Sequence, residues 1–121
     1  MSIVTTRQQL SPHFHTDEFM CRCGCGEIKV STTMVDLLER IRAEFDSPVT
    51  VNSGFRCKSY NKRVGGATHS RHIQGDAADI TIRSVLPSEV HKKALELNPN
   101  GGVGSYRTFT HVDTRGHKAR W

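Results

Sequence analysis

Apolar residues recur at helical spacing most clearly between Met34 and Phe45. Met34, Leu37, Leu38, Ile41 and Phe45 fall three or four positions apart, and Glu39, Arg40, Arg42 and Glu44 lie between them. On a helix this gives one apolar stripe and one charged face. The spacing predicts a helix over residues 32–46, ended at Ser47-Pro48 because proline disfavours helical backbone. The stripe is core, with no cofactor read into it. Val49-Thr50-Val51-Asn52 is β-branched at alternate positions and predicts a short strand. Ser53-Gly54-Phe55-Arg56 reads as a turn, and residues 58–64 as a short helix stopped by Gly65-Gly66. The apolar run Ala77 to Ile82 predicts a strand. Pro87 suits the first turn of a helix over residues 87–97, with Val90, Ala94 and Leu97 inward. Residues 103–106 and 109–114 can pair as an antiparallel hairpin. Residues 1–15 show no period and read as an extended N-terminal arm. Thr16 or Asp17 can cap a short helical turn carrying Phe19 and Met20. Helices and strands mix without βαβ alternation, which predicts an α+β fold. With no repeat and no linker, residues 1–121 read as a single domain.

Composition narrows the class. The chain has 121 residues, 36% hydrophobic and 24% charged, enough for a modest core and unlike a disordered segment. No apolar run is long enough to span a bilayer. The start, Met1-Ser2-Ile3-Val4-Thr5-Thr6-Arg7, lacks a basic stretch followed by an apolar one, so no signal peptide is expected. The net charge of +5 and pI near 9.3 suit a polyanionic partner, either nucleic acid or a bacterial envelope. The basic residues are scattered and form no nucleic-acid-binding motif, so charge alone does not choose between the two.

Cys21, Cys23 and Cys25 sit in Cys21-Arg22-Cys23-Gly24-Cys25-Gly26, and Cys57 stands apart. Structural zinc sites usually pair two cysteines with a second pair further on, whereas here the second half holds one. Three states stay open: free thiols first, one disulfide to Cys57 second, a structural metal third.

The candidate chemistry lies in Ser70-Arg71-His72-Ile73-Gln74-Gly75-Asp76-Ala77-Ala78-Asp79. A histidine and a carboxylate stand seven residues apart with a glycine between them, and both side chains are metal-ligand types. Phe109-Thr110-His111-Val112-Asp113 adds a further piece, because His111 and Asp113 share a face on a strand. His72, Asp79 and His111 form a possible His-Asp-His set, which leaves a fourth position on zinc open. Arg56, ending its turn, is a candidate to hold a substrate carboxylate or carbonyl through its planar fork. His13 and His15 read as surface histidines.

These pieces occur in a set order: Ser53-Gly54-Phe55-Arg56, then Gly65-Gly66, then Ser70-x-His72-x-x-Gly75-x-Ala77-x-Asp79, then Gly101-Gly102-Val103-Gly104, then Phe109-x-His111-x-Asp113. In that order the chain resembles the zinc D-alanyl-D-alanine carboxypeptidases, in particular their short phage and prophage members. The likeness runs from Ser11 to Trp121 and includes the Cys21 to Gly26 loop. It implies a mixed fold with a small antiparallel sheet and flanking helices, as in the hedgehog/DD-peptidase fold. It implies one zinc ion on His72, Asp79 and His111, and cleavage of peptidoglycan stem peptides with Arg56 binding substrate; Ser70 is a further substrate-binding candidate. Several relatives carry a titrating residue just before the third ligand, where this chain has Thr108, Phe109 and Thr110. Asp113 is therefore read as the acid/base residue or as a partner of a ligand histidine. Pairing with Arg115 or Arg120 is its structural alternative, and His69 and His117 are further candidates for the base.

The leading expectation is thus a monomeric zinc peptidase acting on cell-wall peptides, as a carboxypeptidase or an endopeptidase. It would be made in the cytoplasm and act at the wall after release, as an endolysin does, or be carried on a virion. The alternative is a non-catalytic cell-wall-binding module of the same fold. Specific nucleic-acid binding and membrane insertion are not expected.

Overall fold

The computed structural model describes residues 2–121. The arm expected over residues 1–15 begins at Met1, which lies outside the described residues. The rest of that stretch is held in place by strand pairing. Strand β1 (Ile3–Val4) pairs with a later strand, and β2 (Gln9–Ser11) and β3 (Phe14–His15) form a small hairpin. A 3-10 turn follows over Thr16–Phe19. It is capped by His15, whose side chain accepts from the Asp17 N–H, and not by Thr16 or Asp17. Strand β4 (Val30–Ser31) pairs with β1 and leads into helix α1 (Thr32–Phe45). Met34, Leu37, Leu38 and Ile41 are buried as the stripe requires, and Val35 joins them. A fully buried side chain of this kind contributes about 1.5–3 kcal/mol.

Strand β5 (Val49–Ser53) leads to two short helices, α2 (Lys58–Arg63) and α3 (Arg71–Gln74). Strand β6 (Ala77–Ile82), helix α4 (Pro87–Leu97), strands β7 (Gly102–Ser105) and β8 (Thr110–Asp113), and the terminal β9 (Ala119–Arg120) complete the chain. The main sheet has five strands in the order β5-β6-β8-β7-β9. The β7–β8 hairpin forms as expected, with β7 one residue earlier than the sequence suggests and β8 one residue shorter at each end. The sheet is not wholly antiparallel, because β9 returns parallel to β7.

Strand alternation divides the sheet into two faces. Val49, Val51, Ala78, Ile80, Ile82, Val103 and Val112 belong to the apolar core with α1 and α4. The intervening residues fall on the opposite face. Cross-strand register sets Ser53, Asp79, His111 and Gly104 in one row and Ala77, Asp113 and Gly102 in the next. The core pattern thereby fixes where the candidate chemistry sits: no one-residue slip is possible without exchanging the two faces.

Candidate metal centre

Asp79 and His111 are direct neighbours across β6 and β8. His72 comes from α3, a helix of one turn that the sequence pattern does not reveal. Ser70 caps this helix by accepting the His72 N–H at 3.2 Å, and Gly75 ends it with a left-handed φ of 79°. The result brings His72 Nε2 to 3.2 Å and His111 Nδ1 to 2.9 Å from Asp79 Oδ1. All three residues are buried, and one donor atom from each lies within 4.8 Å of the others. A tetrahedral zinc ion with bonds of about 2.0–2.2 Å needs donors about 3.3–3.6 Å apart. The two donor separations here are a few tenths of an ångström shorter, so the residues fit such an ion with a small outward shift of the donors.

Each imidazole is oriented from behind. His72 Nδ1 donates to the Gly54 carbonyl at 2.7 Å. His111 Nε2 lies 2.8 Å from Asp113 Oδ2. These contacts select the ring nitrogen presented to the centre, Nε2 for His72 and Nδ1 for His111. Asp113 is fully buried and also accepts from Arg115 Nε and Nη2 and from the Gly102 N–H. A Cβ at Gly102 would run into the Asp113 carboxylate, so only glycine fits beside it.

Burial by itself would raise the Asp79 carboxyl, but hydrogen bonds from His111 and His72 outweigh it and hold this group well below the carboxylate range. Asp113 follows the same pattern, with His111 and Arg115 overcoming burial. Burial pulls His111 down, yet Asp113 and Asp79 raise it above the ordinary histidine value. The centre therefore keeps both carboxylates ionised, Asp79 beside Arg56 and Asp113 beside Arg115, as metal-ligating and ligand-orienting groups must be.

The donors open onto a cleft of about 490 Å³. Arg56 lines it, anchored by Nε to Ser53 Oγ at 3.2 Å and Nη1 to Asn61 Oδ1 at 3.3 Å, with Nη2 3.5 Å from Asp79 Oδ2. It is a held cleft residue, not a loose surface arginine. Ser70 and His69 also line the cleft, whereas His117 is exposed elsewhere. Asp113 does not line it, because its carboxylate lies behind His111 and faces away from the donor cluster. Of the pairings foreseen for Asp113, Arg115 forms, and Arg120 instead donates to the carbonyls of Gly101 and Asn98.

Sequence reasoning missed Trp121. Its backbone pairs with Val103 and Ser105, and its ring lies 5.0 Å from that of His111, filling the space left by Gly104. Its Nε1 donates to the Tyr106 hydroxyl at 2.8 Å, and Tyr106 stacks on Phe109. Gly104 facing His111 across the hairpin is the signal that could have placed it.

Three protein donors open to a cleft on one side form the pattern of a catalytic metal centre. The chain belongs to the peptidase M15 family, whose model matches residues 12–113. It is 50% identical over 48 residues to the zinc D-Ala-D-Ala carboxypeptidase of Streptomyces albus G, covering 40% of this chain and 19% of that protein. It is 36% identical over 74 residues to the peptidoglycan L,D-endopeptidase MepK of Escherichia coli K12, covering 55% of this chain and 40% of the relative. A probable MepK from Haemophilus influenzae is 40% identical over 76 residues, with 57% and 40% covered. The matched segments thus span two fifths or less of these relatives' lengths.

Proposed function

We propose that this chain is a zinc-dependent peptidase that hydrolyses a peptide bond in peptidoglycan stem peptides or cross-links. It would act as a D-Ala-D-Ala carboxypeptidase or an endopeptidase, on a hedgehog/DD-peptidase-like fold. One observation carries the reading: His72 Nε2 and His111 Nδ1 converge on Asp79 Oδ1 at the floor of a cleft in an M15 family member. Two relatives, one a zinc carboxypeptidase and one a peptidoglycan endopeptidase, support zinc and the substrate class.

His72, Asp79 and His111 would hold the metal. A zinc ion there supplies Lewis acidity toward water and toward a peptide carbonyl. The protein's own residues supply the rest. Gly54 and Asp113 lock the two imidazoles, so ligand geometry needs no reorganisation during the reaction. Arg56, pre-positioned by Ser53 and Asn61, offers its remaining N–H groups to a substrate carboxylate or carbonyl. The Ser70 hydroxyl can donate to the bound peptide while its oxygen caps α3. We assign the proton-carrying role to His69, the foreseen candidate that lines the cleft, and give Asp113 the positioning of His111.

The reading places the action at the bacterial cell wall by a monomer. A phage or prophage lysin is the setting suggested by the likeness to short family members, and the positive charge suits an anionic envelope. The test is release of new amines from purified sacculi by zinc-loaded protein. Chelation and His72→Ala should each abolish it, with zinc restoring the chelated wild type. Full turnover after both treatments would refute the zinc mechanism. Sacculus binding with no turnover of any stem peptide would favour the non-catalytic wall-binding module.

A further inference from the structure

The chain holds a second cluster of ligand-type side chains, away from the cleft. The sulfurs of Cys21, Cys23, Cys25 and Cys57 all lie within 4.8 Å of one another. Cys21 Sγ and Cys23 Sγ are 3.4 Å apart, and Cys23 Sγ and Cys57 Sγ are 3.7 Å apart. None of the four is in a disulfide. A bonded pair would stand at about 2.05 Å. The edge of a tetrahedron built on zinc–sulfur bonds of about 2.3 Å is about 3.8 Å, close to the separations found here. We propose that these four cysteines form a structural tetrathiolate site for zinc.

The usual two-plus-two spacing of a structural zinc site is absent, since only Cys57 lies outside the loop. The fold makes up for this, because the loop supplies three. In Cys21-Arg22-Cys23-Gly24-Cys25-Gly26 the cysteines alternate, and Gly24 and Gly26 take φ values of 89° and 77° that turn the backbone around them. One further sulfur then completes the set. The Cys57 N–H donates to Cys21 Sγ at 3.4 Å, a contact that suits a thiolate. Four mutually close sulfurs favour zinc or an iron–sulfur centre over calcium or magnesium, which take oxygen donors. Loading zinc forms four sulfur–metal bonds and releases the four thiol protons to solvent.

The place of the cluster gives it a use. Cys57 directly follows Arg56, and it is tied to a loop that begins just after Phe19. The Phe55 N–H donates to the Phe19 carbonyl at 2.8 Å, and the Arg56 N–H to the His72 carbonyl at 3.2 Å. Closing the cluster with a metal would pin the segment that carries Gly54, the acceptor of His72, and Arg56 on the cleft wall. The site lends rigidity to the cleft without taking part in its chemistry.

Metal analysis of the purified chain in zinc should find two ions, one for each donor group. The double variant His72→Ala, His111→Ala should retain one zinc, and Cys23→Ser, Cys25→Ser should lose one. Cobalt loaded into the histidine double variant should show intense sulfur-to-cobalt charge-transfer absorption in the near ultraviolet. In zinc-loaded wild type, which needs no altered residue to fold, a thiol reagent should modify the four cysteines only after chelation. The proposal is overturned if all four thiols of zinc-loaded wild type react at once, if mass spectrometry finds a disulfide among them, or if iron occupies the cluster. It is also overturned if cobalt in the histidine double variant gives no thiolate absorption. These readouts stand whether or not the chain cleaves peptidoglycan.

Discussion

The contact between His111 and Asp113 separates two roles that the sequence leaves together. Sharing a strand face, Asp113 could have pointed into the cleft beside the metal ligands. Its carboxylate instead meets the far nitrogen of His111 and is saturated by Arg115 and the Gly102 N–H. Period-2 alternation gives the face of a side chain, but which atom of its neighbour it meets depends on rotamers. Asp113→Asn should therefore weaken zinc binding about 10–100-fold. Competition with a chelator would measure this, and excess zinc should restore most of kcat. Loss of turnover at full zinc occupancy would return the acid/base role to Asp113. Arg56→Lys keeps the charge but loses the planar fork fixed by Ser53 and Asn61. It should lower kcat/KM by about 10²-fold with zinc content unchanged.

At the level of elements, the long periodic segments were readable in the sequence, and the short ones were not. The stripe of α1 and the proline start of α4 predict both helices to within a residue. Helix α3 has four residues and exists because Ser70 caps it and Gly75 ends it, so no period announces it. Strand β9 has two residues and forms only because β7 offers an edge, a tertiary cause that local propensity cannot encode. The same dependence makes β7 sensitive. Gly102→Ala would press a methyl against the buried Asp113 carboxylate and should cost about 1–3 kcal/mol in urea unfolding. The β2–β3 hairpin docks on α1 through Glu39, which accepts from Ser11 Oγ and the His13 N–H and pairs with the His13 ring. Burial raises the Glu39 carboxyl, but the contacts with Ser11 and His13 prevail and lower it. A depressed carboxylate stabilises above its unfolded pKa, and that stability is lost as pH falls through the lower folded value. Hydrogen-exchange protection in residues 9–15 should hold above about pH 4.3 and decline below it. Glu39→Gln should make that protection low and independent of pH in this range.

Across the whole molecule, one apolar face organises the chemistry. Packing of α1 and α4 on the sheet fixes strand register, and register sets Asp79 opposite His111 on the other face. His72 and Arg56 reach the same point from the segments flanking α2, and Trp121 closes the side next to His111. The ligand residues were legible because their types and order are distinctive. Their support was not, since the Gly54 carbonyl and the Trp121 ring become relevant only through the fold. The central claim is zinc-dependent cleavage of peptidoglycan peptides, and mass spectrometry of muropeptides released from purified sacculi tests it most directly. Zinc-loaded wild type should yield fragments with one new amine and one new carboxylate at a single type of peptide bond. Chelated protein and His72→Ala should yield none. Unchanged muropeptides from zinc-loaded wild type, or the same fragments after chelation, would contradict it.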